Sequence, residues 1–401
     1  MRIAQITNSG RGSIGTISRL LSRAMFQDGI DNRIYITSGP ADDPHVIRYA
    51  GDFSVKWNSL KSHVLGNYGF NSNAATARLL ASLAEYQPDI VHIHNIHGHD
   101  VNTERLFAFL AEQQIPVIYT FHDCWAFTGY CPHYAYAGCE QWKTECTDCP
   151  LRRRFSFFLD ASKSNFRRKK EALLALKDLT VVTPSAWLKE QVSQSFLSDR
   201  PCIVINNGID TEVFHPSVSK RKQSLGIDAR YTALSAANRI SSRKGIDDLA
   251  KLAEILPEDT VLVLVGLSES DLARLPETIR GLPRTDSQAE LAELYSMADV
   301  FVNATHEDTF PTVNMEALAC GTPVVTYNTG GSPEIIDEKT GYSVPEYDTE
   351  ALRDAAVRAA KEKPSMTDAC RRRALECFDR HLFTERYLRL YHEKARQDTG
   401  Q

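Results

Sequence analysis

Residues 306–327 read HEDTFPTVNMEALACGTPVVTY, an acidic loop, a short helix and an apolar strand in one continuous unit. Asp308 and Glu316 stand eight positions apart around the loop-to-helix junction. Thr312 to Ala319 reads as a short helix, and the free N–H groups of its first turn, at Thr312 and Val313, favour an anion in front of them. Glu316 falls about one turn into that helix, where a carboxylate can accept hydrogen bonds from sugar or ribose hydroxyls. A phosphate and a sugar held side by side describe a nucleotide sugar. Taken without its neighbours, the same pair of acids would only complement the positive end of a helix dipole.

The neighbours add cations. AANRISSRKGID, residues 236–247, follows the apolar run Tyr231 to Ala236 and brings Arg239 and Lys244 to a strand end, with Arg243 beside them. Together with Glu316, Ala317, Cys320, Gly321, Pro323 and Val324, this resembles retaining glycosyltransferases of the GT-B fold, in particular glycosyltransferase family 4 in its exopolysaccharide and lipopolysaccharide branch. Asp308 stands where that family usually has Glu, Glu307 comes one residue earlier, and Phe310-Pro311 takes the place of its usual glycine. The resemblance implies that Arg239 and Lys244 hold the donor diphosphate. Such cations would stabilise the charge that develops on a departing diphosphate, Arg as a planar fork and Lys as a point charge.

The chain has 401 residues, 42% hydrophobic and 24% charged, which predicts two ordinary globular domains. A net charge of −5 argues against a dedicated nucleic-acid binder. No apolar run reaches the roughly 18 residues that cross a bilayer, and MRIAQIT begins as a strand rather than a leader. The expectation is a cytoplasmic protein, peripheral at most on the cytoplasmic membrane face. Short β-branched runs alternate with helical patterns in both halves, so the predicted class is α/β, two Rossmann-like doubly wound parallel-sheet domains facing a cleft. Strands are predicted at 2–7, 33–37, 90–94, 117–122, 179–183 and 202–205, then at 231–236, 261–265, 300–303 and 323–327. Helices are predicted at 13–27 and 103–113. VINNGIDTEVFHP, residues 204–216, resembles the family's interdomain crossing in Asn207, Gly208, Asp210, Phe214 and Pro216. The predicted division is an acceptor domain 1–206 with a Cys-rich insertion 124–150, a nucleotide-sugar domain 207–380, and a terminal helix 381–401 that by resemblance packs back on the first domain.

Gly10, Gly12 and Gly15 lie between the first strand and first helix, where a backbone without Cβ atoms can approach a phosphate or sugar. Their Gly-x-Gly-x-x-Gly spacing alone is weak, and no acid ends the second strand to hold a nicotinamide ribose. By resemblance Gly12 and Gly15 line the donor site, with Ser13 replacing a family glycine. His122 matches the family's active-site histidine. His92, His94, His97 and His99 are predicted as a polar cleft wall rather than a metal site.

Five of nine cysteines fall in residues 124–149. Cys131, Cys139, Cys146 and Cys149 suit a structural zinc, with disulfides and free thiols as the alternatives. Residues 151–177 carry nine Lys and Arg against two acids, a local +7. With the aromatics of RRRFSFF this suits anionic lipid headgroups, and a solvated helix face or nucleic acid are the other readings.

The predicted function is a retaining hexosyltransferase that moves a sugar from a UDP- or GDP-sugar to a glycan acceptor, lipid-linked by expectation, in surface polysaccharide biosynthesis. In the mechanism the resemblance implies, His122, Arg239, Lys244 and Asp308 are catalytic. Gly12, Gly15, Arg239, Lys244, Asp308, Thr312, Val313 and Glu316 bind the donor, and no metal cofactor is required for catalysis. The alternatives are a nucleotide-sugar epimerase, a pyridoxal-phosphate-dependent phosphorylase of similar shape, and a zinc-dependent nucleic-acid binder using residues 124–177.

Overall fold

A computed structural model describes residues 1–398 except 98, 100, 219, 228–230, 238 and 239. The chain divides into two compact units, Met1–Ile205 with Thr384–Gln401, and Asn206–Phe383. The candidate Arg239 lies outside the described residues.

The first unit holds a seven-stranded sheet of β1 (Arg2–Ile6), β2 (Asp31–Ile36), β3 (Val46–Arg48), β4 (Ile90–Ile93), β5 (Val117–Thr120), β6 (Leu179–Thr183) and β7 (Cys202–Val204). Its order is β3-β2-β1-β4-β5-β6-β7, every neighbouring pair parallel. The second unit holds β8 (Tyr231–Ala236), β9 (Thr260–Leu267), β10 (Ile279–Pro283), β11 (Val300–Asn303), β12 (Val324–Tyr327) and β13 (Gly341–Val344). Their order is β10-β9-β8-β11-β12-β13, again all parallel. Both sheets reverse direction between their first and fourth strands, and such a switch point opens a crevice at the carboxyl ends of the strands.

Central strands announce themselves because both faces are buried. IVHI in β4, VIYT in β5 and VVTY in β12 are buried at every position. The sequence reading misses β3, β10 and β13, short strands at or near the sheet edges that need little apolar surface. The register of β10 on β9 shifts between Leu282 and Pro283.

The helix Arg380–Asp398 supplies Tyr387 and Tyr391 to the first unit, both buried. Tyr391 Oη lies 2.7 Å from His92 Nδ1, His92 Nε2 lies 2.8 Å from Thr120 Oγ1, and that oxygen lies 2.8 Å from Tyr387 Oη. His92 is therefore an interior strut and not part of a cleft wall.

Several cations of the basic stretch are engaged inside the first unit. Arg168 pairs with Glu104, and Lys163 and Arg167 pair with Glu145. Lys169 is buried, its Nζ on the Trp125 carbonyl and 3.9 Å above that ring, and burial lowers its pKa to about 7.

Candidate active site

The carboxyl ends of β8 and β11 flank the switch point of the six-stranded sheet, and the described second-unit candidates Lys244, Asp308, Thr312, Val313 and Glu316 lie on the loops and helix that follow them. After β8 a single helical turn, Ser242–Lys244, is closed by Gly245 at φ +72°. After β11 runs the acidic loop. Lys244 Nζ donates to Asp308 Oδ2 at 2.6 Å, both side chains partly exposed. Asp308 Oδ1 accepts from the Phe310 N–H at 3.2 Å. Arg243 serves the scaffold, since its guanidinium donates to the Glu307 carbonyl at 2.7 Å while its own carbonyl accepts from the His306 N–H.

Two glycines that the sequence reading passes over make this approach possible. A Cβ on Gly245 would stand 1.9 Å from the Ala304 carbonyl oxygen, and one on Gly330 would stand 1.9 Å from that of Asp308. His306, also unpredicted, is buried between two carboxylates, with Nε2 3.1 Å from Asp248 and Nδ1 2.9 Å from Glu346. Its neighbours lie far off in the chain, so no local pattern marks it.

The helix Thr312–Ala319 has the predicted bounds, and its cap residue Pro311 makes no side-chain capping bond. The N–H groups of Thr312 and Val313 therefore belong to a first turn without a side-chain cap. Glu316 accepts from Tyr295 Oη at 2.9 Å. Burial raises the Glu316 pKa to about 7, against the pull of hydrogen bonds from Tyr295 and Thr312.

In the first unit, Gly12 at φ +72° begins the helix Gly12–Gln27 in open space. Gly15 is spent on packing, because a Cβ there would fall 2.4 Å from the Gly10 carbonyl carbon. Beyond β4 and β5 lies a small cavity lined by His94, His97, His122, Asp123 and Trp125, among others. Gln5 Nε2 donates to the Ser18 carbonyl, so its Oε1 faces His94 Nε2 at 3.1 Å as an acceptor. His94 Nε2 then carries the proton and His94 Nδ1, 3.2 Å from His122 Nε2, accepts. This chain fixes His122 as the Nε2–H tautomer with Nδ1 as its acceptor. Burial holds His122 neutral, its pKa down at about 4, and pushes His94 well down and His92 to about 3. Burial would raise Asp123, but His97 Nε2 at 2.9 Å and the Trp125 N–H hold it at about 2.

Cys131, Cys139, Cys146 and Cys149 line one enclosed cavity in the insertion, all four as free thiols. The Gly129 N–H donates to Cys146 Sγ at 3.2 Å. Among the described residues no group of three or more His, Cys, Asp or Glu is set to hold a metal ion. No helix among them is long and apolar enough to cross a membrane.

The Glycosyltransferase Family 4 model matches residues 14–213, and the Glycosyl transferases group 1 model matches residues 217–376. A D-inositol 3-phosphate glycosyltransferase of Saccharomonospora viridis is 34% identical over 178 residues, 39% of this chain and 41% of that one. A sulfoquinovosyl transferase of Arabidopsis thaliana is 25% identical over 283 residues, 68% of this chain and 49% of that one. The chain thus spans less than half the length of these two curated relatives. Sucrose-phosphate synthase from Thermosynechococcus elongatus superposes with a TM-score of 0.72 at 19% identity, covering 98% of both chains. Anabaena HepE in complex with UDP-glucose gives 0.66 at 17% identity, covering 98% of this chain and 100% of that one. The chain is built of a Glycosyltransferase Family 4 domain followed by a Glycosyl transferases group 1 domain, the two α/β units of a GT-B fold.

Proposed function

We propose that this protein is a retaining glycosyltransferase that moves a sugar from a nucleoside diphosphate sugar to a glycan acceptor carried on a lipid, in surface polysaccharide assembly. The observation that carries the reading is the Lys244–Asp308 pair at the switch point of the second sheet, one helix start away from Glu316. Lys244 neutralises the diphosphate as it leaves, joined by Arg239 and by the amides of Thr312 and Val313. Glu316 clasps the ribose and Asp308 the donor sugar. Because Asp308 is already tied to Lys244 and the Phe310 amide, it is poorly disposed to act as a nucleophile. Retention then follows from attack on the face the diphosphate leaves, a phosphate oxygen taking the proton of the incoming hydroxyl. His122, held neutral by burial, binds a sugar hydroxyl of the acceptor in this reading, and Gly12 leaves its own backbone open to a substrate.

A panel of UDP- and GDP-sugars tests this reading, because a ligand that binds only the folded state raises the melting temperature. One nucleotide sugar should stabilise the wild-type protein and fail to stabilise Lys244→Ala. Product anomers read by proton NMR should keep the donor configuration. No stabilisation by any nucleotide sugar would overturn the proposal. A structural zinc at Cys131, Cys139, Cys146 and Cys149 is proposed separately, and there the thiols would have to draw closer about one ion. One zinc per purified chain by elemental analysis supports it, and a zinc-free folded protein refutes it.

A further inference from the structure

The helix Asp52–Leu65 is built inside out. Its buried residues are Asn58 and Ser62, and Ser62 accepts from Asn71 at 2.7 Å. Its large apolar side chains point the other way: Phe53 is 83% exposed, Trp57 and Leu60 51% each, and Val64 is exposed as well. These four follow one another at intervals of four, three and four residues, a single stripe along a helix. At about 100° per residue, Lys56 and Lys61 lie roughly 70° to either side of the centre of that stripe. Both lysines are exposed.

A second segment extends the stripe. Phe157, Phe158 and Leu159 are all more than half exposed. The Phe157 N–H donates to the His63 carbonyl at 2.7 Å, and the two rings lie 5.3 Å apart. Arg153 and Arg154, just before them, are exposed. The nearby acids are occupied, Asp52 by Arg48, and Asp160 by the N–H groups of Cys149 and Ser162. Single exposed apolar residues need no explanation, but a contiguous patch does.

We propose that this face docks on a bilayer surface rich in anionic lipid, the aromatic and aliphatic side chains entering the headgroup boundary while the lysines and arginines reach phosphates beside them. Charge complementarity selects this occupant. An apolar stripe flanked on both sides by cations matches an interfacial helix, whereas a second copy of the chain would bring like-charged flanks together. The inference deepens the lipid-linked acceptor reading above, yet it concerns binding alone and stands or falls without any transfer being measured.

The test is sedimentation of the full chain with phosphatidylcholine vesicles, with and without phosphatidylglycerol. Wild-type protein should pellet only with phosphatidylglycerol, and brominated lipid should quench a component of its fluorescence that is absent from Trp57→Phe. Phe53→Ser combined with Leu60→Ser should abolish pelleting at an unchanged melting temperature. Lys56→Gln and Lys61→Gln should each weaken it roughly fivefold. If wild-type protein stays in solution with anionic vesicles, or Trp57 escapes quenching, the proposal fails whatever the variants do. A dimer in sedimentation velocity that Phe53→Ser dissolves would also overturn it, by assigning the face to self-association.

Discussion

Lys244 and Asp308 neutralise one another at 2.6 Å, and a donor diphosphate arriving there competes for the same ammonium. Lys244→Ala should therefore lose on the order of 2–4 kcal/mol of transition-state stabilisation, roughly a 30- to 1,000-fold fall in kcat/KM. Turnover near the wild-type level would remove Lys244 from the mechanism. Glu316 makes a sharper prediction because burial raises its pKa to about 7 from an ordinary 4.5. The unfolded chain releases this proton first, so the group costs stability as pH rises from about 4.5 to 7, and the full cost persists above that range. Glu316→Gln should raise the melting temperature at pH 8, by a change worth on the order of 1–3 kcal/mol, and leave it unchanged at pH 4. The same variant should bind nucleotide sugar more weakly by calorimetry and lose a pH dependence that, in wild type, weakens binding as pH falls below about 7. A variant that is both more stable and a poorer binder would show a carboxylate kept for its ligand at the fold's expense.

At the scale of elements, the loops after β8 and β11 meet backbone to backbone, and glycine is what lets them. Gly245 combines φ +72° with a Cβ position 1.9 Å from the Ala304 carbonyl oxygen. Gly245→Ala should destabilise the second unit by more than about 1 kcal/mol and lower kcat/KM alongside Lys244→Ala, since the lysine is the last residue of the turn that Gly245 closes. An alanine variant with wild-type stability and activity would show that the turn has slack. The helix Arg380–Asp398 rests on a different device, the buried bond between Tyr391 and His92. Tyr391→Phe strands a ring nitrogen in the interior and should cost about 1–3 kcal/mol in chemical denaturation. These elements were unequally legible beforehand. The helix Thr312–Ala319 was plain from its flanking turn and strand, and β8, β11 and β12 from their apolar runs. The edge strand β10 was hidden because IRGLP carries no such run, and the role of Tyr391 was hidden because its partner stands 299 positions away.

Across the whole molecule, pH should act on the two units in opposite senses. His92 and His122, with pKa values near 3 and 4, stay neutral in the fold, while unfolded histidine takes up a proton near 6.5. The unfolded state then binds more protons below about pH 6.5, so the stability these residues lend at neutral pH is lost on acidification. Circular dichroism melts at pH 5 should show the first unit weakened relative to pH 7, by up to about 1.4 kcal/mol per histidine for each pH unit. His92→Gln should flatten that dependence, and an unchanged melt between these pH values would contradict the buried neutral network. The doubly wound α/β class was written in the sequence, because a parallel strand covered on both faces must be a short apolar run and a crossover must be a helix. The acidic motif and the placement of Lys244 after a strand could be read in the same way, being local in the chain. Tertiary structure alone paired Lys244 with Asp308, spent Arg243 and Gly15 on the scaffold, drew His92 and His94 into the interior and turned the apolar face of Asp52–Leu65 outward. Each of these depends on which distant residues share a neighbourhood, and periodicity along a chain carries no record of that.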